Sequence, residues 1–293
     1  MLVGYTIKFK NKKPKEKSKK KKEKSKKKKA KRKKMQIRTM SDYAASGETP
    51  EILFWVGCAG SFDERAQKIT RAVAKILHHC EVKFAILGTE ESCTGDPAKR
   101  AGNEFLFQMQ AMTNIQVLDG YGIKKIVTAC PHCFNTLKNE YPDLGGHYEV
   151  VHHSQLIQSL FDEGRLKVSG GAFAGKKITF HDPCYLGRGN DVYEAPRSVI
   201  EKLDGAFSEM KRSRAKGFCC GAGGAQMFKE PEKGSKDVNV DRTEEALELK
   251  PDIIAVGCPF CMTMMTDGVK NFNKEDDVKV LDIAELIAQA GEL

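Results

Sequence analysis

No stretch of the sequence is long and apolar enough to span a bilayer as a helix, and the apolar run of a signal peptide is missing from its beginning. The expectation is a soluble, cytoplasmic protein with no membrane span of its own. Acidic residues are almost lacking from one region. Between Lys8 and Lys34 stand 19 Lys or Arg against only Glu16 and Glu23, so the formal charge of +10 belongs to that block. The rest, with 30 basic and 37 acidic residues, is net acidic, which speaks against specific nucleic-acid binding by the globular part. A lysine block without large apolar side chains buries too little surface to offset the entropy of ordering. Residues 1–45 are therefore expected to be a disordered extension. It reads as a solvated or spurious arm, the alternative being one that binds nucleic acid or anionic lipid.

Other signatures are missing too. There is no CxxCxxC run, no flavin motif and no full dinucleotide fingerprint, since the glycines at 221–224 follow no strand. What is plentiful is cysteine. In a reducing compartment disulfides are rare, so ten cysteines point to metal or redox chemistry.

Apolar, β-branched runs at 52–56, 83–87, 125–128, 148–151, 177–180, 253–256 and 278–281 read as buried strands. Amphipathic segments at 64–79, 103–120 and 192–203 read as helices between them. This alternation predicts an α/β protein with parallel sheets. Cys58, Cys130, Cys184 and Cys258 each follow a predicted strand, and the carboxyl ends of parallel strands are where such proteins build sites. The two CxxC pairs open helices, whose first amides favour thiolate over thiol.

The cysteines repeat. Cys58 to Cys93 and Cys184 to Cys219 are both 35 residues apart; Gly95 to Cys130 is 35 and Gly221 to Cys258 is 37. Each set closes with a matched pair, Cys130-Pro-His-Cys133 and Cys258-Pro-Phe-Cys261. A tandem duplication follows, with two pseudo-repeated α/β domains at 46–168 and 169–293. Soft thiolates at this density select iron-sulfur clusters or zinc over hard cations.

The second half, with His181-Asp-Pro-Cys184, Cys219-Cys220-Gly-Ala-Gly-Gly and Cys258-Pro-Phe-Cys261, resembles the cysteine-rich CCG domain family. That family includes the B and D subunits of heterodisulfide reductase and the iron-sulfur subunits of glycolate oxidase and glycerol-3-phosphate dehydrogenase. The resemblance implies a noncubane [4Fe-4S] cluster on Cys184, Cys219, Cys220, Cys258 and Cys261. The first half departs from it, because Thr94 stands where the second cysteine of the motif belongs. Its Cys58, Cys93, Cys130 and Cys133 are left for a four-thiolate [4Fe-4S] cluster or zinc.

The resemblance further implies an electron-transfer or catalytic subunit of an oxidoreductase complex. Its partner would be a ferredoxin-like [4Fe-4S] subunit, itself membrane-bound or not, or a flavoprotein dehydrogenase, and its acceptor a disulfide or a quinone-linked group. Association with the inner face of a membrane would run through that partner. The alternative is a zinc-stabilised interaction module without redox activity. His181 and Asp182 stand beside a candidate ligand and either hydrogen-bond the site or serve in capping and packing. His132 and the His152-His153 pair read as supporting or surface residues, Cys80 as an inert thiol outside the repeat, and residues 96–100 as a helix cap with exposed charges.

Removing residues 1–34 should abolish any binding to DNA in a mobility-shift assay, whereas tight binding by the truncated protein would contradict the acidic character of the remainder.

Overall fold

The computed structural model describes residues 35–230 and 233–293, so residues 1–34 of the expected extension lie outside the described residues. A boundary at 45 is too late. Helix α1 (Met40–Ser46) falls within the expected extension, held by a capping box between Thr39 and Asp42 and by burial of Met40 and Tyr43. Thr39 also bridges in parallel to Ile86. A short Thr-x-x-Asp cap before two spaced apolar residues is an easy signal to miss next to a lysine tract.

Two four-stranded sheets follow, and every strand pair in them is parallel. In the first, β1 (Ile52–Trp55), β2 (Phe84–Ala85), β3 (Lys125–Thr128) and β4 (Glu149–His152) lie in the order β2-β1-β3-β4. In the second, β5 (Lys177–Phe180), β6 (Ala206–Phe207), β7 (Ile253–Val256) and β8 (Lys279–Asp282) repeat that order as β6-β5-β7-β8. Duplication read from cysteine spacing is thus duplication of topology. β1 and β7 are buried along their whole length, as continuous apolar runs in the interior of a parallel sheet must be. β6 had no apolar run to announce it. It is two residues at an edge, and its neighbour β5 dictates its place through the register Lys177↔Ala206.

The crossovers are helical, as parallel pairing demands. The first half carries α2 (Gly57–Phe62), α3 (Ala66–His79), α4 (Asp96–Arg100), α5 (Glu104–Gly120), α6 (Pro131–Asn135) and α7 (His153–Asp162). The second carries α8 (Glu194–Ile200), α9 (Val238–Glu248), α10 (Pro259–Asn271) and α11 (Ile283–Ala290). Residues 163–176 join the halves without helix or strand.

The halves pack directly. α11 lies on α3, and Arg65 forks onto the carboxylate of Glu285 at 2.9 and 2.7 Å while also donating to Val280 O. Among the described residues no helix is long and apolar enough to cross a membrane. Apolar side chains are nonetheless exposed on α5, where Phe105, Met109 and Met112 face outward.

Close packing of α9 on α10 turns on Gly268. A Cβ there would lie 2.7 Å from Thr243 Cβ and 3.0 Å from Asn239 O. Gly268→Ala should lower stability by about 1–3 kcal/mol through overpacking, read as a lower denaturation midpoint under anaerobic conditions.

Candidate metal centre

Strand ends and glycine turns deliver the thiols. After β1, Gly57 adopts φ +78° and swings Cys58 into the first turn of α2. A side chain at 57 would also press on Cys133 Sγ, 3.3 Å from the added Cβ. Cys130 and Cys258 stand at the N-caps of α6 and α10, each followed by the proline that a first helical turn tolerates. Cys93 and Cys219 sit in matching turns: the Gly95 N–H donates to Cys93 Sγ at 3.4 Å, and the Gly221 N–H donates to Cys219 Sγ at 3.2 Å. Both glycines have strongly positive φ, +87° and +90°.

These turns bring the thiols together. In the second half Cys184 contacts Cys219, Cys219 contacts Cys220, Cys220 Sγ lies 3.4 Å from Cys261 Sγ, and Cys261 contacts Cys258. In the first, Cys58 contacts Cys93, Cys130 contacts Cys133, and the two pairs face each other. Thr94 is buried with its hydroxyl 3.9 Å from Cys133 Sγ, occupying the place that Cys220 holds against Cys261. The two sets also meet, since Cys130 touches Cys258 across the boundary between the halves. Cys80 stays apart, with Arg165 and Glu163 as its charged neighbours.

Electrostatics divide each set. Hydrogen bonding to its neighbour Cys93 and burial push Cys58 far up, as Cys219 and burial do for Cys184. Hydrogen bonds received from Cys58 bring Cys93 down to about 7, and those from Cys184 and Cys220 bring Cys219 well down. Hydrogen bonds from Cys133 and Cys258 bring Cys130 well down too, so each set has at least one thiol that favours the thiolate and neighbours whose protons a bound cation has to displace. Nine converging sulfurs with hardly an oxygen donor among them fit a soft metal or an iron-sulfur cluster, not a hard ion.

Gly223 brings backbone against the site, as an added Cβ would lie 3.7 Å from Cys184 Sγ. A ring nitrogen of His181 lies within 4.8 Å of Cys220 Sγ and Cys261 Sγ. His181 is fully buried, its Nδ1 accepts from Arg242 Nε at 3.0 Å, and its Nε2 has no partner among protein groups. Burial and the Arg242 guanidinium bring its pKa down to about 3. Leaving such a buried N–H unmatched costs about 1–3 kcal/mol, which a sulfur acceptor would offset in part. Asp182 points elsewhere. It takes a bidentate fork from Arg197 at 2.8 and 2.9 Å and the Arg214 N–H, so it holds the loop leading to Cys219.

His132, His152 and His153 are interior residues, and none of the three is at the surface. His132 Nδ1 is 2.9 Å from Asp96, and its ring packs on Tyr185 and Phe260 of the second half. His152 Nε2 lies 3.1 Å from Gly257 O and also meets the Ala129 carbonyl, so one ring ties together the residues that precede Cys130 and Cys258. His153 continues the chain to Asp282 at 3.0 Å. The expectation of exposed charges at 96–100 fails at Asp96, which is buried between His132 and Arg100 because the turn after Cys93 directs it inward. Sequence reasoning also missed Asn114 and Tyr141. Asn114 donates to Cys93 O at 2.9 Å and Tyr141 donates to Thr94 O at 3.2 Å, both from positions with no motif to mark them.

An apolar cleft of about 360 Å³ opens beside Cys93, lined by Pro97, Ala98 and Leu106 from one half and Ala225 and Phe228 from the other.

Fold and site together define a duplicated parallel α/β protein that gathers sulfur at the carboxyl ends of its strands. Residues 52–138 and 178–266 each match the model of the cysteine-rich domain family CCG, and the chain belongs to that family. It is 47% identical over 256 residues to the probable iron-sulfur-binding oxidoreductase FadF of Bacillus subtilis, covering 87% of this chain and 36% of that one. It is 44% identical to the EtfAB:quinone oxidoreductase of Syntrophomonas wolfei, covering 84% of this chain and 35% of that one. With the D subunit of the dihydromethanophenazine:CoB--CoM heterodisulfide reductase of Methanosarcina barkeri it shares 34% identity, over 82% of this chain and 59% of that one. The chain thus spans about a third of the first two relatives and over half of the third.

The groups around the thiols can be tested one at a time. His152→Leu leaves the Gly257 carbonyl unmatched and should cost about 1–3 kcal/mol in denaturation while lowering metal retention by both sets. Burial, outweighing the Val56 and Gly57 N–H bonds it accepts, raises Glu91 from 4.5 to about 7. Its folded form therefore holds a proton more tightly, a contribution to stability fully present below pH 4.5 and lost as pH rises to about 7. Glu91→Gln should flatten the stability profile across that window.

Proposed function

We propose that this chain is the iron-sulfur electron-transfer module of an oxidoreductase. The observation that carries the reading is the meeting of two thiol sets at Cys130 and Cys258. Cys184, Cys219, Cys220, Cys258 and Cys261 would hold a noncubane [4Fe-4S] cluster. Cys58, Cys93, Cys130 and Cys133 would hold a four-thiolate [4Fe-4S] cluster, with Thr94 lining it as a non-ligand. Such clusters, when bound, supply one-electron steps. The chain's own contribution is to exclude water, to fix the thiols through the turns at Gly57, Gly95 and Gly221, and to hold the halves in contact through His152 and His132.

The names of the relatives, which include two oxidoreductases and one component of a heterodisulfide reductase, support this assignment. Electrons would be exchanged with a ferredoxin-like or flavoprotein partner, and an acceptor of disulfide or quinone-linked type would approach by the apolar cleft beside Cys93. A membrane location would be peripheral and would come through that partner.

Anaerobic iron, sulfide and zinc analysis with electron paramagnetic resonance tests the reading. Iron and acid-labile sulfide should accompany both thiol sets. Colourless protein with roughly two zinc ions per chain and no sulfide would establish the structural-zinc reading instead. Cys220→Ser should remove the second-half signal and spare the first, and Cys58→Ser should do the reverse; unchanged metal content in both variants would refute the ligand assignment.

A further inference from the structure

The second half contains a buried pair that its thiol motif does not account for. His181 ends the approach from β5 to Cys184, and Arg242 comes from the middle of α9, 61 residues later. Both are completely buried. A buried guanidinium needs strong reasons to be there. Arg242 has some: Nη1 donates to Arg212 O at 2.9 Å and to Glu245 at 3.0 Å, and Glu245 is itself held by Arg212. The remaining edge of the guanidinium is turned to the histidine. Nε donates to His181 Nδ1 at 3.0 Å, and Nη2, which shares that edge, has no partner among protein groups.

The direction of that hydrogen bond decides the chemistry of the ring. Arginine has donors only, so Nδ1 of His181 must accept, and the ring's single proton must be on Nε2. Nε2 is the ring atom without a protein partner, while the ring lies within 4.8 Å of two sulfurs of the second set. A His-Cys-Cys group at that spacing invites a reading as three metal ligands. An imidazole whose Nε2 carries its proton has no lone pair there to give, and Arg242 occupies the lone pair at Nδ1.

We infer that Arg242 is a positioning residue for the second thiol set: it locks His181 in the Nε2–H form and so makes His181 a hydrogen-bond donor to cluster sulfur, not a ligand. This rests on the cluster assignment made above and adds how its potential is set. A donor to cluster sulfur stabilises the reduced, more negative state and raises the potential. Among the described residues the first half has no such pair at its thiols, so the device acts on one site alone and sets the two apart in potential.

The test uses the full chain, purified anaerobically, with potentials from redox titration followed by electron paramagnetic resonance. His181→Phe should lower the midpoint potential of the second-half signal with iron content unchanged, and His181→Gln, whose amide N–H takes the place of Nε2–H, should recover it. Arg242→Lys retains the charge but removes the Nε donor. It should lower the potential in the otherwise unaltered protein and have no further effect in the His181→Phe background. An equal shift in both backgrounds would mean that Arg242 acts on the site independently of His181, and would overturn the inference. If Arg242→Lys fails to fold, protein labelled with ¹⁵N-histidine provides the same decision. A weak, hydrogen-bond-sized nitrogen coupling in pulsed spectra of the second-half signal supports the inference; a strong coupling of a directly bound nitrogen, or none, refutes it. Full iron and sulfide without any shift in His181→Phe would defeat this inference alone, whereas protein lacking iron and sulfide would defeat it together with the cluster assignment.

Discussion

The whole arrangement depends on concentrated sulfur in a place with little water. Thiols this close hydrogen-bond to one another, and with burial this pushes Cys58, Cys133, Cys184 and Cys261 up, while burial first of all raises Cys258. Only a strongly binding soft cation reconciles such a set with ionisation. The local structure supplies what the thiols cannot. Helix starts at Cys130 and Cys258, backbone N–H donors from Gly95 and Gly221, and small residues at 57 and 223 let sulfur and main chain approach without a side chain between them.

Parallel topology explains why such distant residues converge. A parallel sheet points every strand's carboxyl end to one edge, so residues following β1, β3, β5 and β7 arrive at the rims automatically. The middle cysteines arrive by another route, on irregular loops braced from outside. Asn114 and Tyr141 brace Cys93 and Thr94, while Asp182, Arg197 and the Arg214 backbone brace the approach to Cys219. Asn114, Tyr141 and Arg197 belong to helices that carry no cysteine of their own, whereas Asp182 shares its loop with Cys184.

The two halves share a topology but differ in detail. Thr94 reduces the first set by one sulfur, and the helix after Cys133 is short and passes into a π-turn at Thr136–Glu140, where its counterpart α10 runs on without a break. π-turns of this kind commonly accompany functional sites. The first half in turn supplies the histidines that join the two. His132 packs against Tyr185 and Phe260, and His152 bonds ahead of both CPxC turns, so neither thiol set is finished by its own half alone.

The sequence by itself determined the α/β class, the positions of most strands along the chain, the duplication and the two groups of cysteines, because periodicity and spacing are local properties that survive without coordinates. It also isolated Cys80 from the rest. It did not reveal β6, the helix at Met40–Ser46, the burial of Asp96, or the parts played by Asn114, Tyr141, His152 and Arg242. Those depend on which faces meet once the two halves close on each other. His152 is an ordinary residue in the sequence, and it becomes the link between two sites only when Gly257, 105 residues away, is brought to 3.1 Å from its ring. Contacts of that span follow from the packing of two sheets and their helices, which no single segment encodes.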